Sequence, residues 1–232
     1  MASAADTREP LEALLPRLFA GSARPALEAL AALEAELAAS VRPGIEHSVA
    51  HARLGWWRAE VERLAAGRPE HPLTRTLAAH SGTAPDWTLL NERLAAAELV
   101  LGGVVPATDA ALEAFLYRLE GAPWQLRAQL LAGERSEPLA AFGAALGKGL
   151  GLVARRAQAT DAAAATRAAE RAAALLELAA RALPRPARRA QVPGLVALAL
   201  GRARLARDAA APPAALVQLF IAWRAARRAY RE

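Results

Sequence analysis

Apolar residues recur at steps of three and four along almost the whole chain. Between residues 24 and 40, Leu27, Leu30, Leu33 and Leu37 fall on one helical face. Between 46 and 66, Val49, Leu54, Trp57, Val61 and Leu64 do the same, and Gly67 closes the segment. The same periodicity predicts helices over 10–20, 86–101, 109–120, 123–132, 137–158, 161–183, 190–208 and 212–231, with a short one entered at His71-Pro72. Asp86 is the expected cap of the 86–101 helix, Thr108-Asp109 and Thr160-Asp161 open two others, and 81–85 reads as a loop. Strand-like alternation is nearly missing. Roughly nine to eleven helices joined by short loops predict an all-α protein, one compact helical bundle over residues 1–232.

Composition strengthens this reading. Ala (65) and Leu (37) dominate, and both are strong helix formers. Cysteine is absent, which removes disulfides and thiolate metal sites. There are five Asp (Asp6, Asp86, Asp109, Asp161, Asp208), no two closer than 23 residues, so no aspartate-cluster metal motif exists. Charge is uneven: residues 1–150 carry −4, and residues 151–232 carry +10 from 15 Arg and 5 acids. Such a basic end suits an anionic partner such as lipid headgroups or a diphosphate. Basic motifs interleaved with aromatics are missing, so nucleic acid is not an expected partner. The N-terminus lacks the pattern of a secretory leader, and the longest weakly polar stretch, 139–154, is broken by Lys148 and four Gly. The expectation is a cytoplasmic protein, with peripheral contact to the inner membrane through its basic C-terminal helices. In the last helix Leu216, Leu219, Phe220, Trp223 and Tyr230 lie near one face among Arg224, Arg227, Arg228 and Arg231. Base rates favour an ordinary helix closing the domain over one docked on lipid or a partner.

Candidate chemistry is thin. His47 and His51 are four apart, a spacing that suits a metal, but no third ligand accompanies them and solvated histidines are the better reading. His71 reads as a helix-entry residue. No GxSxG, P-loop or GxGxxG occurs, and Gly147, Gly149 and Gly151 read as small residues for close helix packing or cavity space.

The order of rarer residues carries more. Residues 31–36, then Arg53-Leu54-Gly55-Trp56-Trp57-Arg58, then Gly67 and His71-Pro72 resemble the squalene/phytoene synthase family of all-helical head-to-head prenyl synthases. Weaker similarity follows at 108–121, where Phe115 replaces a family Tyr, and at 142–153 and 183–205. The resemblance implies the isoprenoid synthase fold. In active members two DxxxD motifs face a central cavity and hold Mg²⁺ on a prenyl diphosphate. Neither motif is present here. The first position offers Glu34 and Glu36, which point about 200° apart on a helix. The second offers Arg155, Arg156 and a displaced Asp161.

The family also includes non-catalytic members, a respiratory complex I assembly factor among them. The resemblance therefore implies a degenerate, non-catalytic relative that binds an isoprenoid, another lipid or a protein partner in an assembly or regulatory role, without a cofactor. Catalytic and metal-ligating residues are not expected. Its weak substrate-pocket candidates are Glu34, Glu36, Trp57, Arg58, Phe115, Gly147, Arg155 and Arg156. For Trp57 packing with Leu54, Val61 and Leu64 is the favoured reading, and Arg58 is equally a partner for Glu62. The alternative is a prenyl-diphosphate transferase using Mg²⁺ with Glu34 or Glu36 and Arg155 or Arg156 as non-standard ligands.

Overall fold

The structure, a computed structural model, describes residues 10–80, 85–159, 161–207 and 213–231. Among these there are eleven α-helices and no strand: α1 (Leu11–Leu18), α2 (Arg24–Ser40), α3 (His47–Ala65), α4 (Pro72–Ala79), α5 (Leu89–Leu101), α6 (Asp109–Leu116), α7 (Ala122–Ala132), α8 (Glu137–Arg156), α9 (Ala162–Ala182), α10 (Val192–Leu205) and α11 (Ala215–Ala229). Residues 81–84 of the expected loop and Thr160 lie outside the described residues.

Local chemistry fixes most boundaries. Thr108 caps α6 by accepting from the Ala111 N–H (3.2 Å), and Asp161 caps α9 by accepting from Ala164 (2.7 Å). Pro lies in the first turn of α2, α4, α7, α8 and α10, where its missing N–H costs nothing. Gly133 ends α7 in the left-handed conformation (φ 69°). Asp86 departs from expectation. Its carboxylate accepts from the backbone and hydroxyl of Thr88 and so shapes the turn before α5, while the helix starts at Leu89. Val49 departs too. The inward stripe of α3 is Ala50, Leu54, Trp57, Val61 and Leu64, and Val49, one residue and about 100° off that stripe, stays exposed.

Three apolar clusters hold the helices. Leu27, Leu30, Leu33 and Leu37 of α2 pack with Leu54, Trp57, Val61, Leu77, Leu90, Leu94 and Leu126. A second cluster joins α8 and α9 through Phe142, Leu146, Leu152, Ala172 and Leu176. A third joins α1, α10 and α11 through Leu15, Val192, Val196, Leu200, Ala222 and Ala226. Helix α8 reaches α7 almost backbone to backbone. A Cβ on Gly143 would stand 2.5 Å from the Gln125 Cα, and one on Gly147 would run into the Glu120 carbonyl. The glycines every fourth residue of α8 thus serve close approach.

Between α6 and α7 the chain runs through a π-helical turn, Tyr117–Gly121. The Ala122 N–H bonds to the Tyr117 carbonyl five residues back, and Pro123 next to it has no N–H to give. This wide turn carries Glu120 into the interior.

Candidate functional site

A cavity of about 580 Å³ lies among α1, α2, the π turn, α7, α8 and α10. Its volume falls in the range of small-molecule pockets. Leu27, Leu131, Leu150, Val153 and Leu200 give it an apolar wall, and Gly151 and Gly201 add width. Three carboxylates and three guanidiniums also line it: Glu12, Glu34, Glu120, Arg17, Arg127 and Arg204.

These charges are largely matched. Arg127 donates to Glu34 at 2.5 Å across 93 residues of sequence, and its guanidinium lies 5.1 Å from the Trp124 ring centroid. Arg204 donates to Glu12 at 2.7 Å. Glu34 Oε1 and Arg127 Nη1 remain buried with no hydrogen-bond partner. Arg93, buried on α5, interacts electrostatically with Glu34, Glu120 and Arg127, and burial lowers its pKa against the pull of the two glutamates. Glu120 is pushed up to about 7, first by burial and then by the negative charge of Glu34, with Arg127 and Arg93 opposing. With all four ionised the cluster sums to zero, and protonating Glu120 leaves it at +1.

Of the eight residues singled out by sequence, Glu34 alone lines this cavity. Glu36 is exposed on another face of α2. Trp57 is buried in the α2–α3 core, edge-on to Trp56 (5.0 Å) and His71 (4.9 Å). Arg58 pairs with Glu98 of α5 at 2.6 Å, not with Glu62, because the tertiary neighbour is nearer than the helical one. Phe115 and Arg155 do meet, the guanidinium 5.9 Å from the ring centroid, but away from the cavity lining. Arg156 donates to the Leu205 and Arg207 carbonyls, satisfying the end of α10. Gly147 serves the α8 contact described above. His71 caps α4, its Nδ1 accepting from Leu73 at 3.2 Å. His47 and His51 stand with Nε2 atoms 3.0 Å apart on exposed α3 surface.

The residues sequence reasoning missed are Glu120, Arg127 and Arg93. Nothing local marks Glu120 out, since the segment 116–126 also carries Arg118 and Gln125. A second miss is structural. Glu60, fully buried on α3, accepts from Thr74, from the Glu70 and His71 N–H groups (2.9 and 2.8 Å) and from Arg63 (2.7 Å). Burial alone would raise its pKa, yet the hydrogen bonds from Thr74, His71, Arg63 and Glu70 outweigh it and leave the carboxyl at about 2. Glu60 thereby pins the start of α4 to α3.

The family model for squalene/phytoene synthase matches residues 12–156, well over half of the chain. The chain belongs to the squalene/phytoene synthase family. Its helices α1 to α8 carry the match, and its all-α architecture agrees with an isoprenoid-synthase-type fold. No curated protein and no solved structure matches it.

Members of this family imply magnesium, and the donor set here fits it poorly. At the first motif position Glu34 is committed to Arg127, and Glu36 faces elsewhere. At the second, Arg155 lies over the Phe115 ring, Arg156 is committed to the Leu205 and Arg207 carbonyls, and Asp161 caps α9. Among the described residues no three His, Asp or Glu side chains converge as a metal site needs.

Proposed function

We propose that this squalene/phytoene synthase-like protein is a non-catalytic member that retains a cavity for an isoprenoid or other lipid chain and acts by binding, in an assembly or regulatory role. One observation carries the reading: two of the three carboxylates in the cavity wall are answered by arginines of the same wall, Glu34 by Arg127 and Glu12 by Arg204. Prenyl transfer in this family requires carboxylates left open to cations that neutralise a leaving diphosphate. An apolar chain of modest length suits the leucine-lined part of the space. A hydroxyl end suits the polar part, since it both donates and accepts.

The test has two arms. Purified protein is incubated with farnesyl and geranylgeranyl diphosphate plus Mg²⁺, and products are extracted. Turnover overturns the reading and supports a transferase with non-standard ligands. In the second arm farnesol and farnesyl diphosphate are compared by thermal shift. Stabilisation by farnesol that does not depend on Mg²⁺ is the expected result, and no shift with either removes the lipid-binding part of the proposal.

A further inference from the structure

Helix α11 buries its small residues and exposes its large ones. Ala222, Ala226 and Ala229, with Gln218, face α1 and α10 and are at most 5 % exposed. On the adjoining outer face Leu216 (81 % exposed), Leu219 (44 %), Phe220 (54 %), Trp223 (49 %) and Tyr230 (58 %) reach solvent. At about 100° per residue these five lie within roughly 100° of one another, a largely apolar stripe on the outside of the protein with Arg227 set inside it. An ordinary closing helix would turn that stripe inward. Here alanine fills the closest approach between α11 and its neighbours, and the stripe is left largely uncovered.

The charge along the stripe's solvent-facing edge is positive alone. Arg224, Arg227, Arg228 and Arg231 are the charged residues between 213 and 231, and no acid occurs there. Arg224 lies 5.6 Å from the Phe220 ring centroid and Arg227 5.1 Å from that of Trp223. Arg189, from the segment before α10, lies 5.8 Å from the ring of Tyr230. Phe220 and Trp223 stack on each other at 6.1 Å. No helix among the described residues is long and apolar enough to cross a membrane.

From this arrangement we infer that α11 docks flat on an anionic lipid surface, with Leu216, Phe220 and Trp223 in the acyl boundary and the flanking arginines on the headgroups. Charge decides the occupant. A stripe with arginine borders and no acid complements a surface that is negative throughout, and Trp and Tyr favour the depth where hydrocarbon meets headgroup. Arginine stems lying over the rings let the guanidinium stay at headgroup level while the rings sink. No residue of α11 lines the cavity, so the surface is separate from it and does not rest on the function proposed for it.

Flotation of the full chain with phosphatidylcholine vesicles, with and without about 30 mol % phosphatidylglycerol, tests this. Binding to the anionic vesicles is expected to be at least tenfold greater, and to fall sharply in about 1 M salt, where the Debye length is about 3 Å. Replacing Phe220 and Trp223 together by Ser is expected to lower vesicle binding at least tenfold. Both residues are half-exposed, so the melting temperature should hold, and circular dichroism checks it. Replacing Arg224, Arg227 and Arg228 by Gln should erase the preference for anionic vesicles. Vesicle binding that is absent, or unchanged in the Phe220→Ser/Trp223→Ser protein, overturns the inference. So does concentration-dependent dimerisation lost in that protein without any vesicle binding, which would assign the stripe to a second copy of the chain.

Discussion

Replacing Glu120 by Gln should reshape the pH dependence of stability. In the folded protein this carboxyl is pushed from an ordinary 4.5 to about 7, chiefly by burial and then by Glu34. A raised acid pKa means that the folded state holds a proton the unfolded chain has released. Its contribution to stability is complete below pH 4.5 and is lost as pH rises through 7. A shift of that size corresponds to about 3 kcal/mol, at about 1.4 kcal/mol per pKa unit. Glutamine keeps the shape and has no proton to lose. The stability of the native protein minus that of Glu120→Gln should therefore fall by about 3 kcal/mol between pH 5 and pH 8. For a chain of this size that corresponds to a relative change in melting temperature of about 6–12 °C. Urea titrations followed by tryptophan fluorescence at several pH values measure it, and the difference curve cancels every group the two proteins share. A flat difference across this window would refute the claim that burial holds the Glu120 carboxyl above its ordinary pKa. Arg93 and Arg127 would then offset burial far more fully than the structure implies.

Other substitutions probe the remaining claims. Glu60→Ala removes the acceptor of Thr74, Arg63 and two backbone N–H groups, and should cost about 3–5 kcal/mol at pH 7 by urea unfolding. The depressed pKa of Glu60, about 2 against 4.5, contributes about 3 kcal/mol that is present above pH 4.5 and lost as pH falls toward 2. The acid-unfolding limb should accordingly be shallower in Glu60→Gln than in the native protein. Arg127→Met should cost about 2 kcal/mol or more by leaving Glu34 unpaired in the cavity wall, and adding Glu34→Gln should recover part of the loss in a double-mutant cycle. Gly147→Ala pushes a methyl group into the Glu120 carbonyl and should lower stability by about 1–3 kcal/mol in thermal melts, whereas the same change at exposed Gly55, where a Cβ meets nothing within 4 Å, should not lower it.

The cavity and α11 divide the molecule functionally. Residues from α1 to α8 build most of the pocket and carry the family match, while α11 lies outside that match and presents the basic aromatic face. A lipid-binding core and a surface made for anionic lipid are compatible without requiring each other. Each has a test that leaves the other standing.

The chain by itself determined the helices. Leucine every third or fourth residue, proline in first turns and Thr or Asp caps are local signals, and they act through contacts only a few residues apart. The order of the Arg53–Arg58 motif, Gly67 and His71-Pro72 likewise marked the family, because rare residue types in sequence leave a trace that needs no coordinates. The candidate site was far less legible. Glu34 was found through its motif position, but its partner Arg127 lies 93 residues away, and nothing local pairs them. Arg58 turned from Glu62 to Glu98 for the same reason. Glu120 reads as one more acid until the π turn and the glycines of α8 enclose it. Periodicity showed that α11 has two faces, yet only packing decided that alanine goes in and tryptophan stays out, since the distance of closest approach between helices is set by both partners and is written in neither one alone.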